Sequence, residues 1–150
     1  MNITTKRWIL GLGLGGLLPF VGCALATTVP AYQGVAQTVM LAYAAVILSF
    51  LGAVHWGLVM SSDNPHRPGL RLVFGVVPSL IGWAALLVGQ FGDMSLGLGL
   101  AAIGFVATII VERDWNRAGL LPPGYLNLRM LLSVLVCASL LIASLRGISL

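Results

Sequence analysis

The sequence predicts an all-α membrane protein, a bundle of about five transmembrane helices with its N-terminus cytoplasmic and its C-terminus outside. Three observations lead there. From Trp8 through Ser62 the chain carries no Asp, Glu, Lys or Arg, a stretch that a soluble domain would not leave uncharged. Hydrophobic residues make up 59% of the 150 and charged ones 8%, against about 25% charged in ordinary soluble domains. The mean hydropathy is +1.02. Apolar runs of spanning length recur along the chain, so one membrane domain over residues 1–150 is expected, with no room for a separate soluble one.

The predicted spans are residues 8–28, 35–60, 70–88, 94–111 and 128–145, each about what a helix needs to cross ~30 Å of hydrocarbon. Pro30 and Gly34 close the first gap. Asp63, Asn64 and Pro65 with Pro68 and Gly69 make the second, Gly89 to Asp93 the third, and Pro122, Pro123 and Gly124 the fourth. Lys6, Arg7, Arg67, Arg71, Arg113, Arg117 and Arg129 then fall at one end and only Arg146 at the other. Because Lys and Arg of short loops stay on the cytoplasmic side, this sets the orientation. It also accounts for the formal charge of +4 without nucleic acid, since the basic residues are dispersed rather than clustered. Lys6, Arg7, the first apolar run and Ala24-Leu25-Ala26 imitate a cleaved signal peptide. The run is as long as a full span and leads to four more, so retention is expected.

Lipid gives helices no hydrophobic drive to associate, and small residues mark where backbones approach. Stripes at helical spacing occur in every span: Gly11, Gly15, Gly22 and Ala26; Ala45, Ser49 and Gly52; Gly75, Ser79 and Gly82; Gly97, Ala101, Gly104 and Thr108; Ser133, Cys137 and Ser144. Pro78 inside the third span is read as a plain kink. Cys23 and Cys137 lie in apolar runs without metal-type spacing and read as packing residues.

The candidate site centres on His55-Trp56. His55 falls about 11 Å from the middle of its span, toward the cytoplasmic side. Gly52 and Ser49 lie one and two turns away, making room for a cleft beside the indole, while Arg67, Arg71 and Arg129 reach the same level, with Glu112 and Asp114 as available counter-ions. One reading is a ligand, haem iron or proton site: imidazole binds, Trp56 stacks and the arginines neutralise an anion. The other is a helix-to-helix hydrogen bond with an interfacial Trp anchor, favoured by the shallow position of His55. His66 is not expected to join His55 as a metal ligand, since Pro65 intervenes and no third His exists. No metal site, catalytic residue or required cofactor follows from the sequence, and an enzyme is not expected.

Leu18-Pro19-Phe20, Tyr43, Ser49-Phe50-Leu51-Gly52 running into His55-Trp56-Gly57, Pro78, Trp83, Pro123, Tyr125, Leu128 and Arg129 resemble the bacterial family called domain of unknown function 3429, which is similar to mitochondrial transmembrane protein 69. The resemblance spans nearly the whole chain, and its most specific string is Phe-Leu-Gly-x-x-His-Trp-Gly. It implies a multi-pass protein of the bacterial inner membrane without an established activity and supplies no catalytic residues; Tyr43 and Tyr125 complete the candidate contact residues. The tryptophan-rich sensory proteins, which bind porphyrins and lipids, are similar in size and helix count only, because the four Trp here are not clustered as in that family. The expected function is therefore non-enzymatic: binding, accessory or assembly work in the bilayer, with other inner-membrane subunits or a hydrophobic small molecule as partners. A small transporter or proton-coupled permease using His55 is the first alternative, and tetrapyrrole or lipid binding the second.

Overall fold

The computed structural model describes residues 3–63 and 65–148. They form six helices: α1 (Ile3–Gly15), α2 (Leu18–Ala26), α3 (Gln33–Met60), α4 (Pro68–Phe91), α5 (Met94–Arg117) and α6 (Tyr125–Ile148), with a single 3₁₀ turn at Pro30–Tyr32 before α3. No strand occurs among the described residues. Taking α1 and α2 as one broken unit, five helical segments are long and apolar enough to cross a membrane. Short connections make successive spans antiparallel neighbours. The N-terminus, the α3–α4 loop and the α5–α6 loop thus share one end of the bundle, the basic end.

The first span breaks where its residues cannot continue a helix. Pro19 supplies no amide to the carbonyl of Gly15, and its ring crowds that turn. The chain tightens there through Leu17 N–H donating to Leu14 O at 3.0 Å before α2 resumes. Tyr43 of α3 donates its hydroxyl to Gly16 O at the break, 3.2 Å away. The break also redirects the glycines. Gly11, Gly15 and Gly22, expected to mark a contact face, have no atom near their Cβ positions, whereas Gly13 meets Leu132 of α6. A helix turned at its middle cannot keep one stripe against one neighbour.

The other stripes do mark contact faces. A Cβ at Gly52 would strike the Gly75 carbonyl, one at Gly75 would strike the Trp56 indole, and one at Gly82 would lie 3.0 Å from Ala45 Cα. Backbone therefore meets backbone where α3 crosses α4. On the next face a Cβ at Gly97 would come 2.7 Å from Gly89 Cα, so α4 and α5 touch in the same way. Phe20, Met40, Leu41, Leu48, Leu98, Phe105 and Leu140 fill the centre, and Phe20 stands edge-on to Phe105 at 6.2 Å between ring centroids. Outward faces carry Val46, Phe50, Val73, Leu80, Ile103 and Leu141, the apolar surface that spanning helices turn to lipid.

Two helix ends bear on the candidate site. Asp93 caps α5, its carboxylate accepting from Leu96 N–H at 2.9 Å. At the far end α5 runs six residues beyond the predicted limit at Val111, to Arg117. It stops at Gly119, which takes the left-handed conformation (φ 71°) while Gly119 N–H and Leu120 N–H each donate at 3.0 Å, to Asn116 O and Trp115 O. This is the Schellman arrangement that glycine permits. Glu112 consequently sits inside a helix and not in a loop.

Candidate functional site at the basic end of the bundle

Charged and polar side chains from α3, α5 and α6 converge inside the bundle. The Glu112 carboxylate of α5, fully buried, is the hub. Its Oε1 lies 3.3 Å from His55 Nε2 of α3 and accepts from the Tyr125 hydroxyl of α6 at 3.2 Å. Its Oε2 lies 3.3 Å from Arg129 Nε. Arg129 then donates from Nη2 to Thr108 Oγ1 at 3.0 Å and from Nη1 to Ser133 Oγ. The Thr108 hydroxyl in turn donates a hydrogen bond to Phe105 O at 2.8 Å. His55, Glu112, Arg129, Thr108 and Ser133 are each no more than 6% exposed.

Burying ions in a low-dielectric interior is costly unless each is paired. Here one carboxylate and one guanidinium neutralise each other through Glu112 Oε2 and Arg129 Nε, which make no hydrogen bond, while the imidazole and hydroxyls bond the other oxygen and the two terminal nitrogens. The imidazole is seated among aromatic rings. Phe74 and Trp115 stand edge-on to it at centroid distances of 5.1 Å and 4.7 Å, and edge-on to each other at 4.7 Å. With Nε2 donating to Glu112, Nδ1 is left without a partner.

Of the nine candidate residues, the structure brings His55, Tyr125 and Arg129 into this one network. Arg71 joins its edge, its guanidinium 5.6 Å from the Trp115 ring centroid. Trp56, next to His55 in sequence, points elsewhere: its indole N–H donates to Leu72 O of α4 at 3.0 Å. With Ser49, Ala53, Gly75, Val76 and Ser79 it lines an outward groove of about 320 Å³ between α3 and α4. Gly52 lies at the adjacent α3–α4 crossing. Tyr43 is twelve residues before His55, about 18 Å along the helix, and serves the break in the first span. Arg67 is exposed, at the start of α4 with a left-handed backbone (φ 45°).

Glu112 was legible only as a possible counter-ion, Ser133 only as a small contact residue, and Thr108 as a small contact residue and a weak polar group for a permeation route. The signal was spacing. Glu112 is the next helical step after Gly97, Ala101, Gly104 and Thr108, and Arg129 the step before Ser133 and Cys137. Of the other expected pairings, Asp114 meets Arg117 at 3.4 Å on the surface. His66 is exposed in the α3–α4 loop. Among the described residues no group of three or more His, Cys, Asp or Glu is placed to hold a metal.

The family described as "Protein of unknown function (DUF3429)" matches residues 5–145. The chain belongs to the DUF3429 family. Relatives of this DUF3429 protein include Transmembrane protein 69 of Xenopus tropicalis, 36% identical over 119 residues, covering 73% of this chain and 46% of the relative. Transmembrane protein 69 of Mus musculus is 32% identical over 116 residues, covering 73% and 47%. The DUF3429 chain thus aligns with somewhat less than half the length of these relatives. No solved structure matches it. The relatives, named as transmembrane proteins, and the five apolar segments support a multi-pass membrane protein.

Proposed function

We propose that this DUF3429 protein is a non-enzymatic binding protein of the bacterial inner membrane, holding a lipid-like molecule or a membrane subunit. One observation carries the reading: the polar centre is closed. Glu112 is fully buried, hydrogen-bonded to His55 and Tyr125 and ion-paired with Arg129, so the groups that would do acid–base work face one another or apolar surroundings and are away from water. Such a network locks helices together. What the molecule presents outward is apolar surface, the groove beside Trp56 and a cavity at the basic end.

The orientation belongs to the same reading. Seven of the eight Lys and Arg residues fall at the end shared by the N-terminus and the α3–α4 and α5–α6 loops, which supports a cytoplasmic side for that end. Binding and permeation are separable by experiment. Native mass spectrometry of the protein from a mild detergent is expected to show a retained lipid-like molecule or a partner subunit. An empty protein, combined with proton or solute flux in proteoliposomes that disappears in His55→Phe, would overturn the proposal in favour of a permease.

A further inference from the structure

Beside the closed network lies an open site that it does not use. A cavity of about 330 Å³ at the basic end is lined by His66, Arg67 and Arg71 on one side and by Asp114, Trp115 and Leu120 on the other. Arg71 is 4% exposed, yet Nε and Nη2 of its guanidinium have no hydrogen-bond partner. A buried guanidinium with unused donors is expensive to maintain. Glu112, the nearby buried carboxylate, is taken by Arg129, His55 and Tyr125. Asp114, the one carboxylate on the cavity wall, pairs with Arg117 at 3.4 Å.

Other features of the wall have the same sign. The cavity sits at the N-terminus of the 24-residue helix α4, where first-turn amides lack helical acceptors and the helix dipole is positive. Arg67 immediately precedes Pro68, the first residue of that helix, and is free in solvent. Trp115 supplies a flat apolar side that already carries the Arg71 guanidinium at 5.6 Å.

We infer that this cavity binds a phosphate monoester, with Arg71 as the buried anchor, Arg67 and His66 as outer donors, and Trp115 as the wall against which the rest of the ligand rests. Arg71 Nε and Nη2 are buried without partners, and a guanidinium gains by turning such nitrogens onto tetrahedral phosphate oxygens. The phosphate belongs either to a lipid headgroup or to a soluble compound. The inference rests on the binding reading above, adds the ligand's chemistry to it, and can fail while that reading stands.

The test uses the full chain, with two probes. One is inorganic phosphate, followed by thermal stabilisation in detergent. The other is dioleoylphosphatidic acid in nanodiscs of otherwise zwitterionic phosphatidylcholine, followed by native mass spectrometry of the ejected protein. Saturable binding of either, weakened at least tenfold in Arg71→Gln and several-fold in Arg67→Ser but unchanged in Arg113→Gln, supports the site. Binding of phosphatidic acid alone assigns it to a lipid, and binding of phosphate as well assigns it to a soluble ligand. No saturable binding of either probe overturns the inference, and so does equal binding in Arg67→Ser, which alters an exposed side chain and decides the matter even if Arg71→Gln does not fold. A lipid or subunit that co-purifies equally with wild type and Arg71→Gln would overturn the phosphate site while leaving the binding reading intact.

Discussion

Glu112 and Arg129 meet at 3.3 Å with side chains 0% and 6% exposed, an ion pair sealed between α5 and α6 in a segment of the chain otherwise built for lipid. Each member makes the other tolerable. Removing one partner leaves a buried charge unpaired, which costs about 3–5 kcal/mol, whereas replacing both with apolar residues of similar size is often neutral. Glu112→Leu is therefore expected to lower thermal stability in detergent sharply, and the pair Glu112→Leu with Arg129→Met to recover most of the loss. A double variant no more stable than Glu112→Leu would show that the ion pair is not what makes the single substitution damaging.

Thr108 tests the next bond outward. Its hydroxyl accepts from Arg129 Nη2 at 3.0 Å in a buried setting, and hydrogen bonds to charged groups contribute about 1.5–3 kcal/mol. Thr108→Val keeps the shape and removes the acceptor, so it should destabilise by about that amount. Ser139→Ala is the control, because the Ser139 hydroxyl bonds only back to Leu135 O of its own helix, and its thermal midpoint should move much less.

Much of this was legible before the structure, and what was not shares a physical cause. The spans follow from apolar run lengths, and the small-residue stripes of α3, α4 and α5 correctly mark where those helices touch. The first span departs from its stripe because Pro19 breaks the helix, and a helical-wheel reading assumes one continuous rotation. Helix α5 continues past the expected span end at Val111, where a charged Glu112 reads as the edge of the membrane. Only the partner brought by α6 shows that the charge stays inside. His55, Tyr125 and Arg129 were visible one by one as costly or amphipathic residues in apolar surroundings. That they meet, while Trp56 faces Leu72 and Tyr43 faces Gly16, depends on helix rotation, which a sequence of nearly uniform hydropathy specifies weakly.

Glycines separate into two classes by what surrounds them. Gly75→Ala puts a methyl group against the Trp56 indole and 2.9 Å from the Gly52 carbonyl, so α3 and α4 must part. Overpacking of this kind costs about 1–3 kcal/mol. Gly11→Ala meets nothing within 4 Å and gains helix propensity worth up to about 1 kcal/mol. Thermal unfolding of the two variants side by side should therefore shift in opposite directions, and equal shifts would mean that the α3–α4 crossing is not the close backbone contact seen here.

Arg67 offers a case in which stability and binding part company. Its backbone is left-handed, φ 45° and ψ 57°, a conformation that costs a residue with a Cβ about 1–2 kcal/mol and a glycine almost nothing. Arg67→Gly also loosens the unfolded chain, which offsets about 0.4–1 kcal/mol of that relief, so the net expectation is a gain of about 1 kcal/mol or less. Arg67→Ser keeps the strain and brings no such gain. Both variants remove one guanidinium from the cavity wall and should weaken phosphate binding alike. Measured together, thermal midpoint and phosphate affinity should therefore move in opposite directions for glycine, while only affinity moves for serine. Loss of stability in Arg67→Gly would indicate that the Arg67 side chain helps hold the α3–α4 loop in place, a role its exposure argues against.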